Sequence, residues 1–168
     1  NDFNAELINT YKVISSKNKI TKLMSLIDDK YESNKQSRKF YENEIKINYT
    51  NSVEAAAKFI YVNKRCFNGL YRVNKKNIFN VPFGKYKNLN IYNKENIISC
   101  SDYLSKIDLQ ILNLDYLNIP TKVHFSKNDF FYLDPPYQPK DDKQGFTQYT
   151  TKDFNRKEQL ALWDFCMK

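Results

Sequence analysis

Residues 130–137 read Phe-Phe-Tyr-Leu-Asp-Pro-Pro-Tyr. The apolar run Phe130 to Leu133 has the composition of a strand, and Pro135-Pro136 stops it. Neither proline has an N–H to give to a ladder, each fixes its own φ, and each keeps the preceding residue out of the helical region. One carboxylate, Asp134, is therefore delivered at a strand end. Rigid main-chain carbonyls and the Tyr137 ring follow it. An acceptor, fixed carbonyls and a flat stacking surface suit a planar base carrying an exocyclic amine.

Upstream, apolar spacing near 3.6 residues predicts helices. The first runs from Asn4 to about Ser16, with Leu7, Ile8, Tyr11 and Ile14 on its face. Asn4 is its N-cap, with Asp2 a competing candidate. The second spans Lys19–Tyr31 through Ile20, Leu23, Met24 and Ile27. Further helices are expected over 35–47 and 52–63, and Asn68-Gly69 ends the last of them. Residues 70–82 read as a β-hairpin turning at 74–77. A helix over 94–106 capped by Asn93 follows, then buried strands at 109–114 and 129–133, and a long polar loop over 138–153. Asn155 with Glu158 has the spacing of a capping box for a final helix that buries Leu160, Trp163 and Met167. The expected fold class is α/β: a partial Rossmann-like domain with an inserted, mostly helical domain carrying the hairpin. Residues 1–4 and 93–168 belong to the first part and 5–92 to the second.

The 168 residues suffice for one domain or two small ones sharing a core. No apolar stretch has the length of a membrane span and no signal peptide opens the chain. Cys66, Cys100 and Cys166 form no Cys-x-x-Cys pair and read as reduced thiols. His124 is the only histidine, so a His-based triad or zinc site is excluded and no metal is expected. The net charge of +8 is concentrated in one segment: residues 55–94 hold nine Lys and Arg and no Asp or Glu. Tyr, Phe and Asn interleave these cations. A carboxylate-free basic stretch of that kind fits a nucleic-acid surface.

The chemistry of Asp134 follows from that partner. An adenine N6 amine is a poor nucleophile because its lone pair is delocalised into the ring. Acceptors that bind both its hydrogens, such as the Asp134 carboxylate and the Pro135 carbonyl, draw the nitrogen toward tetrahedral geometry and free the lone pair. Tyr137 can stack on the base once it has left the helix. No covalent intermediate is needed, only positioning and electrostatics.

Asp134-Pro135-Pro136-Tyr137 resembles the catalytic motif of DNA amino-methyltransferases. Three blocks narrow the resemblance to Dam-type, D12-class adenine-N6 methyltransferases. They are Asn1 to Asn4 with Leu7, Ile8 and Tyr11; Tyr61 to Arg72 continuing through Phe79 to Tyr86; and Asp134 to Tyr137 followed by Phe146-Thr147-Gln148-Tyr149. The resemblance covers essentially the whole chain and implies S-adenosylmethionine as cofactor, double-stranded DNA as partner, and a bacterial cytoplasmic, nucleoid-associated location. Asp2 matches the carboxylate that holds the cofactor ribose. Asp115 and Tyr116 match the adenine contact, although Ser101-Asp102-Tyr103 offers a similar tripeptide, and Asp134 borders the same pocket. Arg72 matches a guanine-reading arginine, in keeping with the commonest specific base contact. Leu70 and Pro82 match residues against a thymine methyl, Phe67 a wedge into the stack, and Asn68 a polar neighbour. Asn74 and Tyr86 complete the set, with Lys64, Lys75, Lys76 and Lys85 on phosphates. Phe146, Thr147 and Tyr149 match a loop that closes near the flipped base. The implied target is GATC.

Two features depart from the family pattern. Asn77-Ile78 stands where Gly-Glu is usual. The family's Phe-x-Gly-x-Gly block would lie before Asn1. The chain therefore reads as an internal fragment that binds cofactor poorly, is inactive by itself and self-associates through exposed sheet edges. A non-catalytic, sequence-specific DNA-binding module is the alternative. Methylation of other amines fits less well, because relatives of that kind carry Ser or Asn at the Asp134 position and lack the block from Asn68 to Tyr86.

Overall fold

The structure, a computed structural model, describes residues 1–74, 76–136 and 155–167. Among these residues six α-helices succeed one another: α1 (Ala5–Ile14), α2 (Lys17–Leu26), α3 (Arg38–Glu44), α4 (Ser52–Arg65), α5 (Lys94–Leu104) and α6 (Arg156–Cys166). A π-helical turn, Ile27–Glu32, extends α2 without a break, so the expected second helix is continuous to Tyr31 but changes its winding. Short 3-10 turns occupy Phe67–Gly69 and Tyr116–Thr121.

Local chemistry sets the helix starts. The Asn4 side chain accepts from the amides of Glu6 and Leu7 at 3.0 and 3.2 Å. Asp2 does not compete for that cap. Its carboxylate accepts the amide of Asn4 itself at 2.6 Å and so braces the capping residue. Asn51, Asn93 and Asn155 cap α4, α5 and α6 in the same way, each satisfying amides that the first helical turn leaves without partners.

The core is built around α4, which packs on α1, α2, α3 and the π-helical turn. Its small Ala56 and Ala57, both buried, let the neighbouring helices approach closely. Val13, Leu23, Ile27, Tyr31, Tyr41 and Tyr61 fill the centre. Tyr31 and Tyr61 stack with centroids 4.7 Å apart, and Phe40 meets both edge-on. The buried face of α1 carries Ile8 and Val13 rather than the expected Tyr11, which is exposed. Tyr31 donates to Glu44 at 2.8 Å, and Lys30 pairs with the same carboxylate at 2.8 Å. Tyr49 also donates to it at 3.1 Å, so the buried charge is held by three partners, as burial requires.

The expected α/β fold is overturned. Among the described residues there is no β-strand and no sheet, and the Rossmann-like reading falls with them. The hairpin expected over 70–82 is reduced to one isolated antiparallel bridge, Val73 with Phe79, and a second bridge, Cys66 with Phe83, lies just outside it. The reason is local competition. The Asn74 side chain takes the amides of Lys76 and Ile78 at 2.9 and 3.0 Å, and Pro82 has no amide to offer. Residues 109–114 are not a strand either. The groups of Leu112 and Leu114 are met by Asp2 N and by the Asn1 side-chain amide, so a residue's side chain stands where a ladder partner would. Residues 129–133 lie open, with Phe130 88% exposed. Sheet edges, and the self-association expected through them, have no counterpart among the described residues. In α6 the expected face is also reversed: Leu160, Trp163 and Met167 are exposed, and Phe165 turns inward onto Tyr116.

Candidate active site and nucleic-acid interface

A cleft of about 720 Å³ opens between the chain start, residues 108–116, residues 130–136 and α6. That volume lies in the range of small-molecule sites. Asp134, Pro135 and Pro136 stand on its wall, together with Asp115, Tyr116, Asn1 and Phe3. Residues far apart in sequence are joined there by short hydrogen bonds. Asn1 Nδ2 donates to the Leu114 carbonyl at 2.9 Å, and Asn113 Nδ2 to the Asp2 carbonyl at 2.9 Å. These bonds hold the chain start beside the segment that leads to Asp115. Asp2 adjoins the cleft without lining it, and its carboxylate is engaged by the amide of Asn4. Asp115 caps the 3-10 turn through the amide of Leu117 at 3.1 Å, which fixes Tyr116 over the cavity.

The electrostatics of the cleft are one-sided. Asp108, Asp115, Asp134 and Glu158 line it, and no Lys or Arg does so among the described residues. Tyr116 meets Phe165 edge-on at 5.5 Å. Its hydroxyl is buried and has no hydrogen-bond partner among the described residues. Burial is the main cause that raises its pKa above the ordinary tyrosine value, with Glu158 and Asp115 adding to it. The cleft thus joins aromatic walls, carboxylates and an unsatisfied hydroxyl. A ligand with a flat ring, hydroxyls and positive charge matches that set. No group of His, Cys, Asp and Glu among the described residues is arranged to hold a metal.

A second surface lies past the end of α4. Asn68 and Gly69 take positive φ, 53° and 62°, and turn the chain so that Phe67 and Leu70 project, 49% and 44% exposed. Phe67 N donates to the Pro82 carbonyl at 2.8 Å, which ties the two arms together. Arg72 and Asn80 pair across the bridge. Lys64, Lys76 and Lys85 are exposed, as are Asn74 and Pro82, while Tyr86 is partly buried. Gly84 is pressed between the arms. A Cβ there would meet the Tyr86 ring, with the carbonyls of Cys66 and Arg65 at 2.8 and 2.9 Å.

The basic segment is not uniformly a surface. Lys58 and Arg65 are buried. Lys58 donates to the Ile47 carbonyl at 2.8 Å. The Arg65 guanidinium lies 3.9 Å over the Phe83 ring and donates to the Tyr86 carbonyl at 3.4 Å. It therefore braces the arm that carries Lys85 and Tyr86. Their position on the buried stripe of α4, with Tyr61 and Val62, is the signal that separates them from the exposed lysines.

A family description, D12 class N6 adenine-specific DNA methyltransferase, matches residues 1–168. The Type II methyltransferase M1.LlaDCHI of Lactococcus lactis subsp. cremoris is 38% identical over 174 residues, covering 100% of this chain and 59% of its own length. The Type II methyltransferase M.MjaIII of Methanocaldococcus jannaschii is 36% identical over 175 residues, covering 99% and 59%. A DNA adenine methylase of Serratia marcescens is 29% identical over 164 residues, covering 96% and 58%. The chain belongs to the D12 class of N6 adenine-specific DNA methyltransferases. It spans about three-fifths of the length of the curated relatives it matches.

Within this D12-class chain, the cleft brings together Asp134, Pro135, Pro136, Asp115 and Tyr116, with Asp2 beside it. Asp102 of the competing tripeptide lies on α5, outside the cleft lining. Phe67, Asn68, Leu70, Arg72, Asn74, Lys76, Pro82, Lys85 and Tyr86 share the second surface. Lys75, Tyr137, Phe146, Thr147, Gln148 and Tyr149 lie outside the described residues. Sequence reasoning missed Asp108, Glu158 and Phe165. Asp108 adjoins a run read as a buried strand, and Glu158 was read as a capping residue. No helix among the described residues is long and apolar enough to cross a membrane.

Proposed function

We propose that this protein takes part in transfer of a methyl group from S-adenosylmethionine to the N6 amine of an adenine flipped from duplex DNA, within GATC. The observation that carries the reading is the place of Asp134 and Pro135 on the wall of an acidic, aromatic-lined cleft. S-adenosylmethionine would supply an electrophilic methyl group on a cationic sulfur. Asp115 and Asp2 suit its hydroxyls, Tyr116 suits its flat ring, and the surplus of carboxylates favours its positive charge. The Asp134 carboxylate and the Pro135 carbonyl accept hydrogen bonds from the amine and localise its lone pair, so stabilisation falls where charge develops. Residues 5–92 form the target-recognition part, and residues 1–4 and 93–168 the catalytic part. In recognition, Arg72 reads a guanine, Leu70 and Pro82 rest on a thymine methyl, and Phe67 fills the gap left by the adenine. Exposed Lys64, Lys76 and Lys85 neutralise phosphates, so binding weakens as salt rises.

The test is methyl-label transfer to a GATC duplex, measured beside DNA binding in the full-length protein. Asp134→Ala is expected to abolish transfer and leave DNA affinity and thermal stability unchanged. Turnover surviving in Asp134→Ala would sink the reading.

A further inference from the structure

Among the described residues, the Arg72 guanidinium is held by Asn80 alone. Its Nε donates to Asn80 Oδ1 at 2.8 Å and its Nη2 to the Asn80 carbonyl at 3.1 Å. The same pair is fixed at the backbone, where Asn80 N donates to the Arg72 carbonyl at 3.1 Å beside the Val73–Phe79 bridge. Arginine carries five N–H donors in a planar fork. Asn80 occupies the side edge of that fork, the Nε hydrogen and one on Nη2. Among the described residues the end-on edge is left: Nη1 and the outer hydrogen of Nη2. Two parallel donors of that kind match the O6 and N7 acceptors of guanine in the major groove.

We propose that Asn80 is a positioning residue for specificity: by engaging the side edge of Arg72 it presents the end-on edge alone to a guanine. The inference rests on Arg72 reading a guanine. Asn80 would then act before DNA arrives, by removing the freedom of a long side chain that otherwise has to be ordered on binding, a cost of about two- to tenfold in affinity. It would also refuse the side-on approach, in which Nε and Nη2 face the base.

The experiment is a fluorescence-anisotropy titration at fixed salt with duplexes differing at the GATC guanine. One carries guanine, one 7-deazaguanine, which lacks N7, and one inosine, which keeps both O6 and N7. The readout is the ratio of Kd for 7-deazaguanine to Kd for guanine. Asn80→Ala is expected to lower that ratio about two- to tenfold, leaving the inosine ratio and helical circular dichroism unchanged. Asn80→Asp keeps an acceptor for Nε and is expected to restore the ratio, while phosphate repulsion weakens all three duplexes alike. Arg72→Ala removes the ratio altogether. If Arg72→Ala removes it and Asn80→Ala leaves it whole, the positioning role is overturned and the guanine reading stands. An equal loss on all three duplexes in Asn80→Ala also overturns it, since that is the mark of a phosphate contact or a folding defect. If Arg72→Ala keeps the ratio, or the unsubstituted protein shows none, the guanine reading fails and the role of Asn80 falls with it.

Discussion

Between Ile8 and Ile91 the chain covers its own side chains; beyond Ile91, Ser101 is the single buried residue among those described. Both regions are rich in aromatic residues, yet they use them in opposite ways. In the first, Tyr31, Phe40, Tyr41 and Tyr61 pack on one another and on α4. In the second, Phe3, Tyr116, Phe130, Phe131 and Phe165 line a cleft, while Trp163 faces outward. The difference separates a region that packs on itself from one that encloses a cavity. The surface around Arg72 stands on a closed core. The walls around Asp134 enclose space, and they gain contacts when something fills it.

The sharpest way to break this comparison is to attack the core. Tyr61→Ala removes the ring at the centre of the aromatic cluster and is expected to cost about 3–5 kcal/mol, read as a fall in thermal midpoint with loss of helical circular dichroism. A loss below about 1 kcal/mol would mean the core is not where stability lies.

Alkaline pH makes a second attack on the same region. Burial pushes the Cys66 thiol from 9.0 up to about 11. Burial likewise pushes Tyr61 from 10.0 to about 12, against the opposing pull of Arg65. A group whose folded pKa is raised contributes its full stability below the unfolded value and loses it as pH climbs through the folded one. Stability is therefore expected to hold to about pH 9 and then fall steadily toward pH 12. A thermal midpoint that stays level from pH 9 to 11 would contradict the burial of Cys66.

The smallest effect is expected on the other side of the comparison. Trp163 is 63% exposed, so Trp163→Ala should change stability by less than about 0.5 kcal/mol. A larger loss in chemical denaturation would show that this face of α6 is covered.

What the sequence disclosed follows the same division. Asn4, Asn93 and Asn155 were legible as caps because a cap depends on amides two or three residues away. The stripe of Leu23 and Ile27 was legible for the same reason, periodicity being local. Strands at 109–114 and 129–133 were not, because an apolar run says nothing about whether a ladder partner exists, and at Leu114 the Asn1 side chain takes the place of one. Counting charge along the chain also blurred Lys58 and Arg65 into the surface, although their register on α4 puts them inside. In the site, Asp134, Asp115 and Tyr116 could be named from motif and resemblance. Glu158 and Phe165 could not, since they reach the cleft only when α6 packs beside Tyr116.

Gly84 carries one more consequence. Each of the other nineteen amino acids has a Cβ, and at this position that atom would strike two backbone carbonyls that cannot rotate away. Any missense change in the Gly84 codon therefore forces the two arms apart. The codon tolerates silent change alone.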